Sequence, residues 1–423
     1  MANYVEELKW RGMFQDATPG IEELLLSGSR VGYAGFDPTA DSLHLGNMVP
    51  IMMLVHLQRA GHRPLALVGG ATGMVGDPSG KSAERKLLDL EQLRHNESCI
   101  KKQLEKFLDF SGENPAKMVN NYDWFKDISF LDFIRNTGKH ITVNYMMAKD
   151  SVKNRMETGI SYTEFTYQLI QGYDFLHLFK EENCILQVGG SDQWGNITTG
   201  TELVRRAAGG EAHAITCPLI TKADGSKFGK SEQGNVWLDA EKTSPYQFYQ
   251  FLLRTADEDA EKLIKIMSLK PMAEIQEIIA EHQKDPGFRH LQKLLAEELT
   301  ARVHSVEDLE QAIKASNILF GKSTQEDLVS LREKDFLAVF EGVPQVEMTK
   351  EHLLGLDFMS LLADESGFLK SKSEARRALS ENSISVNKEK VDADFVLTEE
   401  ALINDKYLLL QRGKKNYFLV VLN

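Results

Sequence analysis

Three stretches of the 423-residue chain hold donors at spacings that could do chemistry on a phosphate-bearing ligand. "DPTADSLHLGN", Asp37 to Asn47, is a loop by composition, yet it ends in His44, Gly46 and Asn47 where an apolar helical pattern begins. A spacing of three puts His44 and Asn47 near one face, Gly46 leaves room for a ligand against the backbone, and a helix N-terminus attracts anions. Phosphate is the natural guest; a polar residue near a helix cap is the plainer reading of His44 taken alone. "GGATGMVGDPSGKSAERK" adds Lys81, Arg85 and Lys86, and "GSKFGKS" adds Lys230 and Ser231. In both, the two glycines before the Lys-Ser pair enclose one residue too few for a P-loop. They read as glycine-bearing lysine loops suited to polyphosphate, or as solvated surface turns.

A different chemistry is written in "FTYQLIQGYDF", where Tyr167, Gln171 and Asp174 stand at i, i+4 and i+7 of a helical pattern. Polar groups on a core-facing stripe need partners, because an unmet buried one costs about 1–3 kcal/mol. A ligand or internal hydrogen bonds could supply them.

The elements that must position these residues follow from periodicity. "RVGYAGF" and "RPLALVGG" read as buried strands, with the helical "NMVPIMMLVHLQRAG" between them ending at Gly61. That βαβ unit implies a parallel sheet. A third strand, "NCILQVGG", runs through Gly189 and Gly190 into a polar turn and a helix, repeating the first pattern. In doubly wound sheets ligands bind at the carboxyl ends of the strands, which is where these turns lie. The section from about Leu87 to Glu182 is dominated by helical patterns, and nearly everything after Thr243 reads as helical. Weak patterning over 321–350 predicts a linker. The tail combines a basic helix, "SKSEARRAL", with β-like segments.

Composition narrows the class. A hydrophobic share of 42% and a charged share of 26% can bury a full core. No apolar run reaches membrane-spanning length and the start lacks signal-peptide character, so a cytoplasmic location is expected. Cys99, Cys184 and Cys217 have no metal-ligand spacing, and no metal site is expected. The net charge of −13 argues against bulk electrostatic coating of nucleic acid. Met359–Asn423, however, carries ten Lys/Arg against ten Asp/Glu, so the whole deficit lies in the preceding residues. A charge-neutral tail on an acidic body suggests a separate module. Its clusters, Lys370, Lys372, Arg376 and Arg377 on one helix and Arg412, Lys414 and Lys415 on a hairpin, could bind phosphates locally.

Taken together, the stretches resemble class I aminoacyl-tRNA synthetases, in particular the bacterial tyrosyl-tRNA synthetase family. "HLGN" stands in the place of the HIGH signature and "KFGKS" in that of KMSKS. "YAGFDPTADSLH", "GGATGMVGDPSG", "FTYQLIQGYDF" and "QVGGSDQWGN" match the tyrosine-specific pieces, and the likeness runs from about Tyr4 to Asn423. It implies a Rossmann-like α/β catalytic domain with a helical insertion and dimer interface over 1–225, then a mobile-loop and α-helical anticodon-side domain over 226–320. After the 321–350 linker comes a small α+β RNA-binding domain over 351–423.

The resemblance further implies activation of tyrosine by ATP, with Mg²⁺ carried on the nucleotide, and transfer to the 3′ end of tyrosine tRNA. Tyr33 and Asp174 would bond the phenolic hydroxyl, and Asp77, Tyr167 and Gln171 the α-amino group, with Gln187 and Gln193 nearby. Gly35, Asp37, Gly46, Gly190 and Asp192 would line the adenylate. Thr39, His44, Asn47, Lys227, Lys230 and Ser231 would face the phosphates, and Lys81 and Arg85 the departing pyrophosphate. A homodimer is implied, with its interface around "NYDWFKDISFLDFIRNTGKH". Asn47 departs from the usual second histidine; it keeps a donor but cannot become cationic.

The residues agree with that chemistry. A carboxylate nucleophile needs no general base, only alignment and donors aimed at growing negative charge. A pocket that bonds a hydroxyl rejects phenylalanine by leaving its own groups unpaired, a selection for which this family is the known example, so no editing domain is expected. A tryptophanyl-type enzyme is disfavoured by the Tyr33–Asp174 pair, since indole has no hydroxyl. A non-catalytic RNA-binding relative is disfavoured by His44, Lys227 and Lys230, and an oxidoreductase by the missing GxGxxG turn.

Overall fold

The computed structural model describes residues 3–79, 88–156, 159–223, 225, 228–231, 234–320, 324–413 and 416–423. It forms two compact units, Met1–Thr243 with Leu252–Val303, and Ser244–Phe251 with His304–Asn423.

The first unit is built on a six-stranded sheet. Its strands are β1 (Asp16–Ala17), β2 (Val31–Phe36), β3 (Arg63–Val68), β4 (Lys117–Asn120), β5 (Cys184–Gly190) and β6 (His213–Cys217), in the order β1-β6-β5-β2-β3-β4. β6, β5, β2, β3 and β4 run parallel, and β1 closes one edge antiparallel to β6. The α/β reading of the βα turns therefore holds. The helix Met48–Arg59 that joins β2 to β3 is apolar nearly all round, and correspondingly it is buried from Met48 to Leu57 apart from Pro50. It gives way to Gly61 in the left-handed region at φ 90°.

Register places the chemistry. Tyr33 on β2 is paired with Leu65 on β3 and with Gln187 on β5. Tyr33, Leu65, Leu67, Phe175, Leu178 and Cys184 share one buried cluster, so the strand ends and the helix Tyr162–Glu182 are locked together by apolar packing. Fully burying each large side chain contributes about 1.5–3 kcal/mol. Ser161 caps that helix by accepting from the Glu164 amide, and Asn183 ends it at φ 52°.

One expectation needs correction, and one element goes unforeseen in the sequence: between Leu87 and Glu182, where helices dominate as expected, the strand β4 extends the sheet beyond β3. Only four residues long and mostly half-buried at an edge, β4 carries too little apolar alternation to be seen in sequence. The 321–350 stretch is not merely a linker: it holds the short helices Gln325–Val329 and Glu333–Val339 and a strand, Gln345–Met348.

That strand belongs to the second unit's sheet. After the two-stranded ribbon of β7 (Lys230–Ser231) and β8 (Gly234–Asn235) in the first unit come β9 (Gln345–Met348), β10 (Ile384–Val386), β11 (Glu389–Lys390), β12 (Tyr407–Arg412) and β13 (Asn416–Leu422). The five lie in the order β11-β10-β12-β13-β9, with β9 parallel to β13 and the other neighbours antiparallel. Leu361, Ala375, Ala378, Ile384, Leu410 and Val420 form its core, so the basic helix Lys372–Ser380 packs its alanine face on the sheet. The helical run after Thr243 is divided: Asp257–Met267, Met272–Lys284 and His290–Val303 belong to the first unit, and Val306–Phe320 to the second.

Candidate functional site

A cavity of about 530 Å³ opens around the carboxyl ends of β2 and β5. β2 and its turn bring Tyr33, Gly35, Asp37 and Thr39 to its wall; the mouth of the next helix brings His44, Gly46 and Asn47. Asp77 enters from the turn after β3, Tyr167, Gln171 and Asp174 from one stripe of the helix Tyr162–Glu182, and Gln187, Gly190, Asp192 and Gln193 from β5 and its turn. Residues far apart in sequence thus meet because parallel strands deliver their turns to one end of the sheet.

Tyr33 is buried, its ring edge-on to Phe175 with centroids 5.3 Å apart, and its hydroxyl has no hydrogen-bond partner among the described residues. Burial, and then the nearby Asp174, hold that phenol well above its usual pKa. Asp174 is also buried, and each carboxylate oxygen receives one donor. Asn121 Nδ2 lies 3.0 Å from Oδ2 and Trp124 Nε1 lies 3.0 Å from Oδ1. Burial raises the Asp174 pKa to about 8 despite those two hydrogen bonds, which pull it down. Neither Asn121 nor Trp124 is evident from sequence; the strand β4 and the short helix after it carry them here.

Toward the middle, two carboxylates are held in place. Asp37 accepts from the Tyr167 hydroxyl at 2.8 Å and from Thr72 Oγ1 at 2.7 Å. Burial first, then Asp37, raise the Tyr167 pKa. Asp77 accepts from Gln193 Nε2 at 2.8 Å, Asn196 Nδ2 at 3.3 Å and the Ser79 amide at 3.0 Å. Gln171 Oε1 and Gln187 Oε1 are buried acceptors without a donor among the described residues. Three unsatisfied polar atoms on one cavity wall are costly unless a ligand completes them. A hydroxyl at the Tyr33 end and an ammonium near the glutamines would do so.

At the wide end the two signature-like stretches touch. Leu45 donates to the Val236 carbonyl at 2.8 Å and Leu238 to that of Leu43 at 2.8 Å, so "LHL" is stitched to the segment after the lysine loop. Gly229, at φ 81°, lies so close to Gly46 that a Cβ on it would stand 2.8 Å from the Gly46 nitrogen. Asn47 Oδ1 accepts from the His44 amide at 3.0 Å, closing the first turn of a 3₁₀ segment, Leu45–Asn47, that leads into the helix. The His44 ring stands edge-on to Trp237 with centroids 6.1 Å apart.

Other candidates lie elsewhere. Lys230 is exposed on β7 and does not line the cavity; Ser231 follows it on the same strand. Lys81, Arg85, Lys227, Lys414 and Lys415 fall outside the described residues. In the second unit Lys370, Lys372, Arg376 and Arg377 are exposed. Lys372 pairs with Asp364 at 2.9 Å, Arg377 with Glu381 at 3.9 Å and Arg412 with Glu374 at 2.6 Å. The first two are exposed pairs of the kind that contributes little to stability, while Arg412 and Glu374 are half-buried.

Known proteins carry the same arrangement of sequence. Residues 29–321 match the family model described as tRNA synthetases class I (W and Y), and residues 335–420 match that of the tyrosine–tRNA ligase SYY-like C-terminal domain. The chain is 63% identical over 428 residues to a tyrosine–tRNA ligase of Flavobacterium johnsoniae and 60% identical over 427 residues to one of Bacteroides thetaiotaomicron, covering 99% of each chain in both cases. Among solved structures, a C-terminally truncated mitochondrial tyrosyl-tRNA synthetase of Aspergillus nidulans superposes with a TM-score of 0.69 at 31% identity, over 76% of this chain and 95% of that one.

Proposed function

The chain belongs to the class I tRNA synthetase family of the tryptophan and tyrosine type, and from that premise we propose that it acts as a tyrosine–tRNA ligase. A carboxylate oxygen of tyrosine attacks the α-phosphorus of ATP, the bond to the β-phosphate oxygen breaks, and tyrosyl-adenylate and pyrophosphate result. A terminal hydroxyl of tRNA then attacks the tyrosyl carbonyl and AMP leaves.

The observation that carries this reading is the unpartnered Tyr33 hydroxyl beside the doubly held Asp174 at the closed end of the cavity. Tyr33 and Asp174 would bond the substrate phenol; Asp77, Tyr167, Gln171, Gln187 and Gln193 would gather around the α-ammonium. Gly35, Asp37, Gly46, Gly190 and Asp192 would border the adenylate, with Thr39, His44 and Asn47 on the phosphates. Lys227, Lys230 and Ser231 would join them from the loop, and Lys81 and Arg85 would receive pyrophosphate. Donors already fixed before the reaction stabilise developing charge without reorganising. Mg²⁺ would enter on ATP as part of that substrate.

The second unit's exposed Lys370, Lys372, Arg376 and Arg377, with Arg412, Lys414 and Lys415, would contact the tRNA backbone, and the helices after Thr243 its anticodon side. A homodimer is supported by an exposed apolar face: Phe130 is 64% exposed, Leu131 76% and Val143 59%. Among the described residues no helix is long and apolar enough to cross a membrane, and we place the protein with its tRNA in the cytoplasm.

Amino-acid-dependent exchange of pyrophosphate into ATP tests the reading. Exchange with tyrosine, and not with phenylalanine or tryptophan, is expected. Absence of exchange with all three from folded protein would overturn it.

A further inference from the structure

Asp174 reaches its two donors by unequal means. Asn121 is over-determined: fully buried, it accepts from the Ala71 amide at 2.6 Å through Oδ1 and donates from Nδ2 to Thr72 Oγ1 at 3.0 Å as well as to Asp174. Trp124 sits instead on a four-residue helix, Tyr122–Phe125, that has no buried residue of its own. Its indole is half-buried and lies flat on the imidazole of His177, with centroids 4.4 Å apart and planes 18° from parallel. His177 stands three residues after Asp174 on the same helix, so one helical face supplies both the carboxylate and the ring beneath its donor. The imidazole is steadied in turn by Tyr173, 6.4 Å away, which contacts Phe125 at 5.3 Å and Phe133 at 5.7 Å.

We propose that His177 is a positioning residue for amino-acid selection: its ring fixes the Trp124 indole where Nε1 donates to Asp174, and so orients the Asp174 side chain toward the substrate hydroxyl. The role rests on the tyrosine reading of the cavity given above. Burial holds the His177 imidazole below its usual pKa, so the ring against the indole is neutral near pH 7 and a phenyl ring can replace it. A side chain that fills the same space without a flat face cannot.

Pyrophosphate exchange with tyrosine and with phenylalanine tests this on wild type, His177→Leu and His177→Phe. His177→Leu is expected to raise KM for tyrosine and to narrow the tyrosine-to-phenylalanine ratio of kcat/KM by roughly three- to tenfold, the worth of one aromatic pair. KM for ATP stays unchanged, and His177→Phe restores both quantities. In a Trp124→Phe background, which already lacks the indole donor, His177→Leu should change the ratio no further. An unchanged ratio in His177→Leu, a parallel loss for ATP, absence of rescue by phenylalanine, or full additivity with Trp124→Phe would each overturn the role of His177 alone. A wild type without tyrosine-dependent exchange would overturn the tyrosine reading and this role with it.

Discussion

Gly229 of the lysine loop and Gly46 at the helix mouth pack backbone to backbone: a Cβ on Gly229 would stand 2.8 Å from the Gly46 nitrogen, closer than such atoms come, while one on Gly46 would crowd only the His44 ring at 3.0 Å. Both lie in a region stitched by the hydrogen bonds of Leu45 and Leu238.

Gly229→Ala should therefore displace the loop from the phosphate end of the cavity. The φ of 81° adds strain for any L-residue at that position. A fall in the activation rate on the order of a hundredfold, as for a displacement of about 1 Å, is expected with little change in Tm. Single-turnover adenylate formation and thermal unfolding measured together would check it.

Tyr33→Phe removes a buried hydroxyl that has no partner among the described residues. The ligand-free variant should be as stable as wild type or more so by about 1 kcal/mol, since an unmet polar group disappears. Its preference for tyrosine over phenylalanine should fall roughly tenfold, the value of one lost hydrogen bond. Urea unfolding and exchange kinetics give the two quantities, and a destabilised variant with intact selectivity would contradict both.

Asp174 makes stability depend on pH. A carboxyl ordinarily titrates near about 4, but this one does so at about 8 because it is buried. Between those values the unfolded chain has lost the proton and the folded protein keeps it, so unfolding releases a proton and stability falls as pH rises. The contribution is most favourable below the lower value and is lost by the time pH passes the upper one. Asp174→Asn abolishes that titration. Stability of wild type relative to the variant should decline from pH 5 to 8 and level off above, as read by urea unfolding across the range.

Asn47 has a structural task and a proposed catalytic one, and two substitutions separate them. Its oxygen accepts from the His44 amide, so Asn47→Ala should cost about 1 kcal/mol of stability. Asn47→Asp keeps that acceptor while exchanging the amide donor for a negative oxygen. If the amide donates to a phosphate, Asn47→Asp should retain wild-type Tm yet slow activation more than Asn47→Ala does. Equal rates for the two variants would leave Asn47 only its cap.

Legibility in the sequence follows the kind of signal each residue carries. Tyr167, Gln171 and Asp174 are readable because helical spacing is regular. The turns holding His44 and Gly190 are readable because a glycine-bearing polar turn directly after an apolar strand marks the carboxyl end of a sheet, where ligands bind; Asp37 and Asp192 are singled out by the family resemblance. Asn121 and Trp124 are not. Their importance arises only when β4 joins β3 across the sheet, a pairing between short segments that local pattern does not encode. The lysine loop carries a compositional signal alone: Lys230 stands exposed on β7 and Lys227 lies outside the described residues, so its part in phosphate chemistry remains a proposal.

The pairing of β2 with β5, which sets Val31 beside Cys184 and Tyr33 beside Gln187, also bears on the order of folding. The first βαβ unit and the helix Tyr162–Glu182 can form from near neighbours, whereas the closed pocket waits for a junction spanning much of the first unit. Closing so long a loop is entropically slow. Helical content should thus recover before the capacity to bind tyrosine during refolding, as far-UV circular dichroism and tyrosine binding followed in parallel would check.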